Sequence, residues 1–262
     1  MRGCVTICRR ELAGLFLSPL AWILLLVTLL VNGFLFQLYV TGYGGDVVLA
    51  LETALGGGPM FWVFMVVLTP LITMRMVSEE ARDGTLEFLL TAPVSDAAVI
   101  VGKFLAATTF MAVLWISVPM YGWVVASLGV DPDWGHVWGG YIGAVLTSGL
   151  FVAIGLLAST STQTPLLAAF LAFVASLVWL MLPQLAQLMM AEIFPLVSGV
   201  VGSEGAVELI NFTLEKMNVM RHLQHSFQRG VFDTSEIIFF LSWSSFFLFL
   251  STRLLEAKRW RG

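Results

Sequence analysis

Six stretches of this chain are long and apolar enough to cross a bilayer, at roughly Leu20–Val40, Met60–Val77, Gly102–Leu128, Trp138–Ala158, Pro165–Pro183 and Ile237–Leu255. Backbone amides in hydrocarbon must be satisfied within their own segment, so such runs predict helices and an all-α polytopic membrane protein. Composition agrees. With 58% hydrophobic residues in 262, the chain carries more apolar surface than a soluble domain of this size can bury. One transmembrane domain over 1–262 is expected. The first run is longer than a signal-peptide core and no small-x-small site follows it, so it is expected to remain as a span.

Basic residues set the expected orientation. Ten of the thirteen (Arg2, Arg9, Arg10, Arg75, Arg82, Lys103, Arg253, Lys258, Arg259 and Arg261) fall on one side if both termini are cytoplasmic. The loops Thr41–Pro59 and Gly129–Val137 hold acids but no Lys or Arg. Lys216, Arg221 and Arg229 lie in the long extracytoplasmic connection 184–236, where short amphipathic helices are expected, one over Ala206–Arg221. A net charge of −4 without a basic face removes the case for nucleic acid as a partner.

The first eighteen residues place Val5, Cys8, Leu12, Leu15 and Phe16 on one helical face, with Arg9, Arg10 and Glu11 turned elsewhere, before Ser18-Pro19 breaks the pattern. A short helix lying on the inner membrane surface fits, held by apolar burial and by arginine attraction to anionic lipid; a frayed tail is the plainer alternative. Cys4 and Cys8 are too few for a zinc site and are read as small apolar fillers.

Charge concentrates in the hairpin between the second and third spans, 78–100. Glu79, Glu80, Asp83, Glu87 and Asp96 fall within nineteen residues, with Arg82 among them. Ser78 is placed to cap a helix carrying Glu79 and Glu80 in its first turn, and Asp83-Gly84 to end it. A second short helix over Thr85–Thr91 would present Leu86, Leu89 and Leu90 as an apolar ridge. Ala92-Pro93 stops it, and Ser95-Asp96 starts the next span. A solvated loop would explain the charge alone; a charged helix with a small apolar ridge suits docking into a soluble protein.

These residues carry a resemblance. EEARDGTLEFLLTAPVSDAAVIVGKF resembles the hairpin signature of type-2 ABC exporter permeases: an acid pair, a basic residue, Gly-Thr-Leu-Glu, apolar residues, then a small residue before Pro. Ile154–Phe173 resembles that family's link between spans four and five. His225–Trp260 is similar to the C-terminal end of the gliding-motility and nitrous-oxide-reductase-maturation permeases. The resemblance implies a six-span permease subunit with an N-terminal elbow helix over 1–18 and a coupling helix in the hairpin. It would be multi-pass in a bacterial inner membrane, and dimeric with itself or a similar chain. Two separate ATPase subunits would drive export of an unknown substrate. Glu79, Glu80, Arg82, Gly84, Thr85, Leu86, Glu87, Leu89 and Leu90 would then dock in an ATPase groove, with Arg9, Arg10 and Glu11 touching the same partner. The subfamily likeness also allows a mechanical transmitter that drives an extracytoplasmic or membrane accessory protein without moving solute.

No G-x4-G-K-[ST] occurs; Gly102-Lys103 is preceded by Ala97 where the first Gly would stand and followed by Phe104. The chain is therefore expected to bind no cofactor and catalyse nothing, with ATP and Mg²⁺ held by the partner. An ion-driven carrier or intramembrane protease would need acids, His or Lys inside the spans. Arg75, Lys103 and Arg253 are instead read as snorkelling near cytoplasmic ends. His222 and His225, with Glu215 upstream, are too few for zinc and read as a polar helix surface. Gly139, Gly143, Gly149, Ala153 and Gly155 give the fourth span small-residue positions for close packing, within the chain or across a dimer. Pro70 and Pro119 are expected to kink their spans.

Overall fold

The computed structural model describes residues 2–85, 94–197 and 212–259. Leu86, Glu87, Leu89, Leu90, the Ala92-Pro93 stop and the start of the predicted Ala206–Arg221 helix lie outside them. The described residues form helices and turns with no strand. Eleven α-helices lie within them: α1 (Arg2–Leu17), α2 (Pro19–Gly42), α3 (Val47–Glu52), α4 (Pro59–Thr73), α5 (Ser78–Arg82), α6 (Asp96–Trp115), α7 (Ser117–Ser127), α8 (Trp134–Ser161), α9 (Pro165–Val197), α10 (Val219–His225) and α11 (Thr234–Arg259). Six candidate spans result: α2, the broken run Val47–Arg82, α6 with α7, α8, the first part of α9, and α11.

Helix α8 forms the centre. In its most apolar stretch 78% of the residues are buried, against 17% in that of α2, 22% in that of α9 and 17% in that of α11, whose outer faces carry many of the chain's exposed Leu, Val and Phe. Its glycines allow this. A Cβ on Gly155 would run into the Thr73 hydroxyl and one on Gly139 into the Phe227 carbonyl oxygen, while one on Gly143 would meet Leu223 at 2.5 Å. These three small positions are thus consumed by packing within the chain. Trp115 and Phe151 are among the largest fully buried side chains, and the Trp115 indole donates to Ser148 Oγ at 3.1 Å.

Several boundaries differ from the sequence-based expectation. Loop 41–59 folds back into the bundle as α3, capped by Asp46, followed by a π-helical segment, Thr53–Gly57, in which Leu55 is buried. Gly56 takes φ +128°, a conformation open to glycine, and its carbonyl accepts from the buried Trp62 indole at 3.0 Å. Helix α9 runs straight through Pro183, where the span was expected to end, to Val197. Its 33 residues make about 50 Å at 1.5 Å each, longer than a bilayer core. A proline in a membrane helix forfeits one hydrogen bond without ending the helix. Pro119 acts as expected: the third span breaks at Ile116 between α6 and α7, whereas α4 passes Pro70 unbroken.

At the end of the bundle away from the hairpin, a helical turn over 212–217 leads to α10, which Asn218 caps, and to a 3₁₀ turn, Phe227–Arg229. Leu223 and Phe227 are fully buried, and Gln224 and Gln228 donate to the carbonyls of Gly56 and Glu52 at 3.3 and 3.1 Å. His222 is no free polar surface: Nδ1 faces Glu236 Oε2, Nε2 meets the Lys216 carbonyl at 2.9 Å, and the ring stacks on Phe239. Glu215 pairs instead with Arg221.

Candidate functional site

The hairpin begins where α4 stops. Residues 74–77 form a turn, so carbonyls that would have been bonded inside a helix need other donors. Ser78 Oγ turns back to the Met74 carbonyl, and Ser159 Oγ from the end of α8 reaches the same oxygen at 3.3 Å. Ser159 also accepts the backbone N–H groups of Val77 and Ser78, both at 3.1 Å. Ser78 is therefore not the cap it was expected to be. The start of α5 is capped by a side chain from the fourth span, 81 residues on. Both serines are fully buried. Ser159→Ala should lower stability by about 1–3 kcal/mol, because two buried donors lose their acceptor. A thermal-unfolding midpoint in detergent, compared with that of the exposed Ser161→Ala, measures it.

Helix α5 then sends its two first-turn acids in different directions. Glu79 faces out, with Oε2 3.4 Å from Arg75 Nε and Oε1 3.8 Å from Arg82 Nη2. Arg82 also binds Asp83 at 3.1 Å, and Gly84 turns the chain at φ +72° before Thr85, whose hydroxyl donates to the Glu80 carbonyl at 3.3 Å. Arg82, Asp83, Gly84 and Thr85 are all exposed. Such half-hydrated pairs contribute little to stability.

Glu80 faces in. Its Oε2 lies 2.9 Å from Lys103 Nζ, which also meets Glu11 Oε1 at 3.0 Å and the Met76 carbonyl at 2.5 Å. Lys103 does not snorkel: its side chain is 1% exposed, two turns into α6. A buried ammonium is tolerable only when paired, and here it donates to Glu11 and to the Met76 carbonyl while the Glu80 carboxylate completes the group as an ion pair. Arg10 closes the group from the solvent side, with Nη2 at 2.6 Å from Glu11 and 2.8 Å from Glu80. Its guanidinium is held above its ordinary pKa by the hydrogen bond to Glu11 first, partial burial opposing and the charges of both acids adding.

The predicted elbow residues thus divide. Arg9 is exposed, while Arg10 and Glu11 join the hairpin through Lys103. Helix α1 packs along α6 so closely that a Cβ on Gly102 would meet the Cys4 carbonyl at 2.9 Å and Ile7 at 3.0 Å. Its buried face centres on Ile7, and Val5, expected to share it, is exposed. Cys4 and Cys8 are free thiols, and burial, then neighbouring Cys4, raises the Cys8 pKa. Sequence reasoning missed Lys103 and Ser159. The signal for Lys103 was a lysine eight residues beyond the Ser95 cap, too deep for a boundary residue; nothing local marked Ser159.

No curated protein matches the chain significantly. The family model described as ABC-2 family transporter protein matches residues 52–258, taking in α4, the hairpin, Lys103, Ser159 and nearly all that follows to the end of α11. That match covers well over half of the sequence, and the chain belongs to the ABC-2 transporter family.

Proposed function

We propose that this ABC permease subunit couples ATP hydrolysis by two separate ATPase subunits to export, through a dimer of itself or with a similar chain. The hairpin end faces the cytoplasm of a bacterial inner membrane, with both termini on that side, and α1 serves as the elbow helix at the inner membrane surface. The observation that carries the reading is the exposed face Arg75–Glu79–Arg82–Asp83 with Gly84 and Thr85. It is anchored from behind by Ser159 and Lys103, so a force applied to it reaches the spans. An exposed charge set on a braced helix suits a protein partner better than a loop that yields. Leu86, Glu87, Leu89 and Leu90 continue the docking element in this reading, and Arg9 adds a contact from the elbow.

The test is co-purification of the tagged chain, with the captured partner identified by mass spectrometry as an ATPase bearing a phosphate-binding loop. Glu79→Arg/Asp83→Arg and Leu86→Asp/Leu89→Asp variants run beside the wild type at matched membrane levels. The reading expects the ATPase with the wild type and at least tenfold less with either variant. Recovery of no such ATPase with the wild type, or full retention by both variants, would overturn it.

A further inference from the structure

Lys103 joins elements that the docking reading treats separately. Its ammonium is shared by Glu11 on α1, Glu80 on α5 and the Met76 carbonyl in the turn that ends the second span, while its own backbone belongs to α6. Four segments meet at one nitrogen: α1 and the turn are held to it by hydrogen bonds, and α5 by the Glu80 ion pair. Arg10 adds a second bridge between the same two carboxylates, from the solvent side. The group is balanced, two cations to two acids, with the lysine fully buried and the arginine half exposed.

Such a junction is stiff for a physical reason. Were α5 to move away from α6 alone, Glu80 would leave the ammonium and Lys103 would lose a charge partner in a place water does not reach. A buried charge stripped of a partner costs far more than a surface pair, so separate movement of these helices is strongly opposed. Gly102, next in sequence, removes the side chain that would hold α1 off α6 and lets Glu11 come within reach.

We propose that Lys103 is the positioning residue that locks the elbow helix, the hairpin helix and the third span into one moving body. On the function proposed above, displacement of the hairpin by the ATPase then carries α6 and α1 with it, rather than bending the turn at 74–77.

The test uses the full chain in lipid nanodiscs with Cys4 and Cys8 replaced by Ala and spin labels at introduced cysteines. Labels at Ala13 on α1 and Ala81 on α5 report the junction without any ATPase. The wild type should give a narrow distance distribution, Lys103→Met one at least twofold broader, and Lys103→Arg an intermediate width. Glu11→Gln, which keeps a hydrogen-bonding oxygen but loses the charge, should broaden it as well and serves if Lys103→Met fails to accumulate. Unchanged widths in these variants would overturn the junction. In the complex with its ATPase, labels at Ala81 and Val113 on α6 report transmission. Their separation should stay constant between nucleotide-free and nucleotide-bound states in the wild type and change in Lys103→Met. A wild-type separation that changes with nucleotide would overturn the single-body claim. If no ATPase associates with the wild type, the docking reading fails, and the Ala13–Ala81 distances still decide the junction.

Discussion

In Gly143→Leu the far end of the bundle is expected to come apart. A Cβ alone at this position would lie 2.5 Å from Leu223 and 2.8 Å from Phe227, both fully buried, and leucine adds three more carbons in the same direction. Neither neighbour can step aside, because Leu223 also fills the space over Gly56 and Phe227 presses its carbonyl against Gly139. Overpacking costs about 1–3 kcal/mol where a core can shift, and this site lies at or above the upper end. The expected result is loss of monodisperse protein in mild detergent, with new tryptic cleavage after Arg229 as α10 and the 3₁₀ turn lift away. Gly14→Ala, where nothing lies within 4 Å, should behave as wild type. Equal yields and digestion patterns for the two would mean that the far end is packed otherwise.

Trp115→Ala is the second large effect. The indole is fully buried where α6 ends, packs against Phe61 and Phe64 with ring centroids 4.7 and 6.3 Å apart, and donates to Ser148. Truncation opens a cavity among α4, α6 and α8 and leaves Ser148 without that donor. The loss should be about 3–5 kcal/mol. Trp123, four residues past Pro119 and 71% exposed on α7, gives the contrast, since its truncation should change stability by less than about 1 kcal/mol. Chemical or thermal unfolding of both variants in the same detergent measures the difference. Matching losses would place Trp115 outside the core.

The two positions also mark what could be read in advance. The spans were legible because apolarity sustained over about twenty residues matches the thickness of a bilayer core and exceeds what one helix of a small soluble domain can bury. The Ser95 cap, the Asp83-Gly84 break and the kink before Pro119 are local features with local signatures. Gly143 was legible as a small residue in a span, though not what would lie against it. Prolines misled in one place: Pro183 reads as a stop, yet a helix in an apolar environment has no better bond to exchange for its own and continues. The 41–59 loop was hidden by its glycines, which suggest a flexible connection while Val47–Leu51 and Leu55 supply a buried face. The candidate site was half visible. Its exposed charges stood out in so apolar a chain, whereas Ser159 and Lys103 act on groups 81 and 92 residues away, and no periodicity reports such pairings.

The burial of α8 also bears on the order in which the protein can be made. Its neighbours include α4 and α6, synthesised before it, and α9 and α11, synthesised after it. When α8 leaves the ribosome, half of its surroundings do not yet exist, and the notches at Gly139 and Gly143 have nothing to receive until Leu223 and Phe227 are translated. The chain must therefore hold a glycine-lined helix against lipid, or against the insertion machinery, until the last span arrives. A nascent chain halted before α11 should be bound by that machinery for longer than one released with all six spans. Substitutions that fill the notches at Gly139 and Gly143 should be detected by quality control only after synthesis is complete, whereas one at Gly155, which faces Thr73 on α4, should be detected earlier.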